Sequence, residues 1–176
     1  MNKTQFMERF WDNLKELFSV LRKLRDGSPQ GLFHIDHIGY KCGSHAEYVA
    51  IRDMFLSDTR FIEWKNVEKI SDRMIFVFEL KPYLTGFFRD LYLELQDQKP
   101  DKSQVSGFDH VELFPEKGHT TQDVVDYFIS QGFIVTKNTK SHSPTDDVDS
   151  QKQFGCIIKI RPGSLRSTIE QRLQEK

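Results

Sequence analysis

Ile35-Asp36-His37-Ile38-Gly39-Tyr40-Lys41-Cys42 and Gly107-Phe108-Asp109-His110-Val111-Glu112-Leu113-Phe114 decide the fold. Their Ile35-Asp36-His37-Ile38 and Phe108-Asp109-His110-Val111 centres lie 73 residues apart, and each reads as a strand. After the first, Ser44 offers an N-cap for a helix through about Leu56 that carries Ala46, Val49, Ala50, Met54 and Phe55. Strands over 61–67, 74–80 and 89–96 follow, then a polar connection containing Pro100. After the second, a helix over 121–131 turns Val124, Val125, Phe128 and Ile129 inward and closes at Gly132. Strands over 133–139 and 155–161 come next, and the polar loop 140–153 between them has room for a short strand. A repeat of this length is a duplicated supersecondary unit, not a solenoid period. The expected organisation is a single domain over 1–176: helix and linker 1–30, module one 31–106, module two 107–162, and a C-terminal helix 163–176 capped by Ser164.

Outside the repeat, Phe6, Phe10, Trp11, Leu14, Leu17, Phe18, Leu21 and Leu24 recur at helical spacing before Gly27-Ser28-Pro29. The face opposite mixes both signs of charge, which favours packing on the chain's own domain over a membrane surface. With 38% hydrophobic residues, 15 Phe, 5 Tyr and 2 Trp in 176, general disorder is excluded. The net charge of -1 leaves no basic excess for non-specific nucleic-acid binding. Mean hydropathy is -0.55, and no apolar run reaches the ~20 residues of a membrane-spanning helix. The polar N-terminus does not read as a signal peptide, and two cysteines without CxxC spacing make no disulfide scaffold, so a cytoplasmic address is expected.

Strand alternation assigns side chains to faces. His37 shares a side with Ile35, Gly39 and Lys41; His110 shares one with Glu112 and Phe114. In Leu91-Tyr92-Leu93-Glu94-Leu95-Gln96 the leucines face one way and Tyr92, Glu94 and Gln96 the other, and Lys159 and Arg161 oppose Ile158 and Ile160. If helices cover the leucine side, the other face carries two histidines, two glutamates, a lysine and an arginine. Such a face is either plain solvated surface or, because two histidines and a carboxylate suit a divalent ion with open positions, a metal site. Alternation turns Asp36 and Asp109 toward the helices, where they read as structural groups bonding backbone N–H. His34, His45 and His119 read as solvated, and neither Cys42 nor Cys156 has a base nearby to make it a nucleophile.

Two modules of strand, helix and three strands, each opening on a histidine, resemble the vicinal oxygen chelate superfamily of glyoxalase I, extradiol dioxygenases and bleomycin-resistance proteins. More closely, Asp36-His37-Ile38-Gly39-Tyr40-Lys41-Cys42, Glu94-Leu95, Gly107-Phe108-Asp109-His110-Val111-Glu112, Ser143-Pro144 and Ile158-Lys159-Ile160-Arg161-Pro162-Gly163-Ser164 are similar to the YecM-like family over nearly the whole chain. The resemblance implies an α+β fold in which paired βαβββ modules form a half-closed barrel around a cleft, with added helices at both ends. It also implies metal ligands on the first and last strands of each module: His37, Glu94 and His110. The fourth position falls on Lys159, a cation with no lone pair to donate, so a four-ligand glyoxalase site is not expected.

Three ligands suffice for Zn, Ni, Mn or Fe(II). Lys159 then stands beside the open positions as the candidate catalytic residue, drawing in an anion or accepting a proton. Glu112, Arg161 and Tyr92 are the candidate substrate contacts. Without a metal, Lys159 would instead pair with Glu94 or Glu112. The expected activity is of a metal-dependent lyase, isomerase or dioxygenase type on a small oxygen-bearing molecule. The competing expectation is a metal-free small-molecule binding module, and a vestigial cleft in a scaffold protein is the third. Lys140-Ser141-His142-Ser143-Pro144 is read as a loop or a lid over the cleft.

Overall fold

The computed structural model describes residues 3–57, 62–70, 72–81, 90–139 and 144–174. Its elements run α1 (Lys3–Gly27), β1 (Phe33–Lys41), α2 (His45–Ser57), β2 (Ile62–Ile70), β3 (Arg73–Leu80), β4 (Leu91–Gln96), β5 (Gly107–Pro115), α3 (Thr121–Ser130), β6 (Val135–Asn138), β7 (Thr145–Val148), α4 (Gln151–Phe154), β8 (Ile157–Ile160) and α5 (Leu165–Gln174). The α+β class holds, and the strand-helix-strands order occurs twice. The strands hydrogen-bond in the order β2-β3-β4-β1-β5-β8-β7-β6 and the sheet stays open. Two units divide the chain: residues 1–25 with 38–109, and residues 26–37 with 110–176.

In the first unit, Phe10, Leu14, Leu17, Phe18, Leu21 and Leu24 of α1 are buried. The Phe10 ring sits edge-on to Tyr40 and Phe55, at 5.2 and 6.0 Å, so this helix packs on its own domain as its mixed charge implied. Ser44 caps α2 by accepting the Glu47 N–H at 3.1 Å. The buried positions of α2 are Tyr48, Ile51 and Phe55. Strands β2, β3 and β4 are antiparallel, and Phe76, Phe78 and Leu80 face Leu95, Leu93 and Leu91 across the ladder. All six are at most 1% exposed, and on the opposite face Tyr92 and Gln96 are buried as well, with only Glu94 of β4 partly exposed.

In the second unit β8 runs parallel to β5, and β7 and β6 continue antiparallel. Val111, Leu113, Val148, Ile158 and Ile160 are buried, as are Val124, Val125 and Phe128 of α3. A capping box starts α3, with Thr120 and Asp123 each bonding the other's backbone N–H. It ends at Gly132, whose φ of +85 lies where a side chain would be strained. Ile129, expected inward, is 53% exposed: Val125 and Phe128 complete the apolar stripe without it. The polar stretch 140–153 contains β7 and the one-turn α4; Lys140 to Ser143, the core of the lid reading, lies outside the described residues. Ser164 Oγ accepts the Ser167 N–H at 3.2 Å and caps α5.

Candidate functional site

The chemistry of the second unit gathers where β1 and β5 carry their histidines. His37 and His110 are 0% and 3% exposed, with ring centroids 5.5 Å apart and rings edge-to-face. His37 Nδ1 lies 2.7 Å from Asp36 Oδ2, and the same oxygen accepts the Leu165 N–H at 3.0 Å. A carboxylate only accepts, so Nδ1 carries the proton and, in the neutral ring, Nε2 carries the lone pair. That is how a metal-ligating histidine is usually oriented from behind. Asp36 bonds a backbone N–H, as read from sequence, at the first turn of α5. Its second partner, His37, was not anticipated, because neighbouring strand residues point to opposite faces.

Glu112 follows His110 by two residues on β5 and shares its face. Its Oε2 lies 3.5 Å from His37 Nε2, and its Oε1 lies 3.7 Å from His110 Nε2. Two cations hold it, Lys159 of β8 and Arg161 just past its end: Arg161 Nη1 donates to Oε2 at 3.0 Å, and Lys159 Nζ stands 3.9 Å from Oε1. Lys159 sits directly across the β5–β8 ladder from Glu112 and across the β8–β7 ladder from Asp147. Burial alone would push the Glu112 carboxyl up, but the charges of His37, His110, Arg161 and Lys159 together bring it down to about 2. Of the residues expected at the site, His37, His110, Glu112, Lys159 and Arg161 therefore come together in this unit.

Glu94 and Tyr92 stand on β4 in the first unit. Glu94 is partly exposed and its Oε1 accepts from Gln96 Nε2, while Tyr92 is 3% exposed and edge-on to Trp64 at 5.8 Å. Also in that unit, Asp109 pairs with Lys41, so the second Asp-His pair does not repeat the role of the first. His45 is largely exposed and bonds Asp97 at 2.8 Å, while His34 stands 3.6 Å from Glu116 in the second unit. Cys42 and Cys156 are buried and share no disulfide, and burial, followed by the Glu47 and Asp97 carboxylates, pushes the Cys42 thiol far up. Such a thiol is no nucleophile.

The whole of this framework matches the family profile described as "YecM protein" over residues 2–171. The chain belongs to the YecM family. Solved structures share the fold. A structural-genomics protein aligns over 93% of this YecM-family chain and 87% of its own, at 21% identity and a TM-score of 0.59. A hypothetical protein from Bacillus halodurans C-125 aligns over 75% and 95%, at 12% identity and 0.50. Methylmalonyl-CoA epimerase from Mycobacterium tuberculosis aligns over 80% and 96%, at 13% identity and 0.50. These likenesses show a shared fold. The search of curated proteins returns no match. No helix among the described residues is long and apolar enough to cross a membrane.

Proposed function

We propose that this YecM-family protein holds a divalent cation (Zn, Ni, Mn or Fe(II)) through His37, His110 and Glu94, and acts on a small oxygen-bearing anion. Those three residues offer two imidazole nitrogens and a carboxylate oxygen, a donor set of the right kind and number. The observation that carries the reading is the Asp36–His37 bond of 2.7 Å. Asp36 is a carboxylate 2% exposed, and a cation on the far nitrogen of His37 would polarise the Nδ1–H toward it and offset its buried charge.

A cation bound there supplies Lewis acidity toward a carbonyl or enolate oxygen. The chain's own residues do the rest. With neutral histidines, Asp36 and Glu112 balance Lys159 and Arg161, so a divalent ion with Glu94 leaves one net positive charge for an anionic substrate. Arg161, 9% exposed in its side chain and held at 3.0 Å by Glu112, is the fixed cation; Lys159, 22% exposed, is the reachable one. Lys159 is assigned the approach of the anion and the movement of its proton, with Tyr92 as a further contact.

One observation favours the metal-free binding module instead: Glu112 already has Arg161 and Lys159 as counter-ions, so no added cation is required to neutralise it. Elemental analysis of untagged protein separates the two. After loading with Zn, Ni, Mn or Fe(II) and desalting, the wild type retains stoichiometric metal and His110→Ala does not. Wild-type protein that retains none leaves the metal-free module standing.

A further inference from the structure

We infer that Glu112 is a further metal ligand, a carboxylate supplied one strand away from the position at which the superfamily pattern expects one. The inference rests on the reading that His37 and His110 hold a cation, and it gives Glu112 a ligand's role beside the substrate contact expected from sequence. The superfamily position on β8 is occupied by Lys159, which has no lone pair. Glu112 is its direct cross-strand partner in the β5–β8 ladder, on the same face of the sheet. The missing carboxylate is therefore present, displaced by one strand.

The placement of the two oxygens is the geometric basis. Each oxygen of Glu112 faces a different histidine: Oε2 stands 3.5 Å from His37 Nε2 and Oε1 stands 3.7 Å from His110 Nε2. Both exceed the ~2.7–3.2 Å of a good N–H···O bond. Two donors that share one ion, each about 2.1 Å from it, lie roughly 3.0–3.4 Å apart, so Oε1 and His110 Nε2 need to close by only a few tenths of an ångström to share one. Oε2 is anchored by Arg161 at 3.0 Å, whereas Oε1 meets its nearest cation, Lys159, at 3.9 Å. Arg161 thereby orients the carboxylate from behind, as Asp36 orients His37, and Oε1 is the oxygen turned to the ion.

The test compares Zn affinity, by competition with a chelator, and the Co(II) absorption spectrum in wild type, Glu112→Gln, Glu112→Asp, Arg161→Met and His110→Ala. Gln keeps an acceptor for Arg161 but loses the charged ligand, so Glu112→Gln should weaken Zn binding at least about tenfold and alter the Co(II) ligand-field bands. Arg161→Met removes the group that orients the carboxylate and should also weaken Zn binding, by a smaller factor than Glu112→Gln and with the Co(II) bands kept. Where Glu112→Gln does not fold, Glu112→Asp keeps the charge, withdraws the oxygens by one methylene, and should show the same two changes in smaller measure. If whichever Glu112 variant folds binds Zn within about twofold of wild type, with an unchanged Co(II) spectrum, while His110→Ala binds none, the assignment of Glu112 is overturned and the cation reading stands. If wild type itself binds neither ion, both fall together.

Discussion

Asp36→Ala should unfold the second unit more easily and loosen the start of α5. Asp36 is 2% exposed, and one of its oxygens takes both the His37 Nδ1–H at 2.7 Å and the Leu165 N–H at 3.0 Å. Alanine leaves both donors buried without their acceptor, at about 1–3 kcal/mol each. It also removes a negative charge from the first turn of α5, worth ~0.3–1 kcal/mol. Relief of the carboxylate's own desolvation offsets part of this. The expected loss is about 2–4 kcal/mol in urea unfolding followed by circular dichroism, and Asp36→Asn, which keeps an oxygen, should lose about half as much. Hydrogen exchange gives the local readout: the Leu165 amide should exchange faster in Asp36→Ala, out of proportion to the change in global stability. A loss below about 0.5 kcal/mol, with the Leu165 amide as protected as in wild type, would refute the account of Asp36.

Acid gives a second prediction. Glu112 has its ordinary value of 4.5 lowered to about 2 in the folded protein, so its contribution is fully present above 4.5 and disappears as pH falls toward 2. That shift corresponds to about 3 kcal/mol, and Glu112→Gln should reduce the stability change of the metal-free protein between those pH values by about that amount; an unaltered acid transition contradicts it. Arg161 and Lys159 should behave differently. Arg161→Met breaks a buried ion pair and should cost about 3–5 kcal/mol, whereas Lys159→Met, 3.9 Å from its partner and part-exposed, should cost under about 1 kcal/mol. In a thermal-shift series with small carboxylates and phosphate, Lys159→Met should nevertheless lose the stabilisation that wild type gains; a retained shift removes Lys159 from the anion site.

Much of this was legible because alternation is a strong signal where one face is buried. Leu91, Leu93 and Leu95 against Tyr92, Glu94 and Gln96 gave the apolar side of β4, although Tyr92 and Gln96 are buried too, and the Asp-His pairs at 36–37 and 109–110 marked the opening strand of each repeat. Ser44 and Ser164 announced their helices because a hydroxyl before an apolar run has few other uses. Strand β7 was hidden because Thr145-Asp146-Asp147-Val148 places two aspartates, poor strand formers, in the middle of four residues; pairing on both sides with β6 and β8 overrides that preference. Ile129 misled because its helical spacing matches the core stripe, while Val125 and Phe128 suffice to fill it. The Asp36–His37 bond leaves no trace in spacing at all. Alternation describes where side chains start, and a short carboxylate beside an imidazole can still reach around the strand to its Nδ1. Glu112 was placed on the correct face, but its position between two histidines and two cations required register, which only the ladder supplies.

The central claim, that the paired histidines of the repeat bind a cation, is tested most directly by X-ray absorption at the metal edge of the Zn-loaded protein. The account predicts two imidazole nitrogens at ~2.0–2.1 Å together with oxygen donors, falling to one imidazole or to no retained metal in His37→Ala. A spectrum with oxygen donors alone, unchanged by His37→Ala, would place the ion elsewhere and contradict the claim.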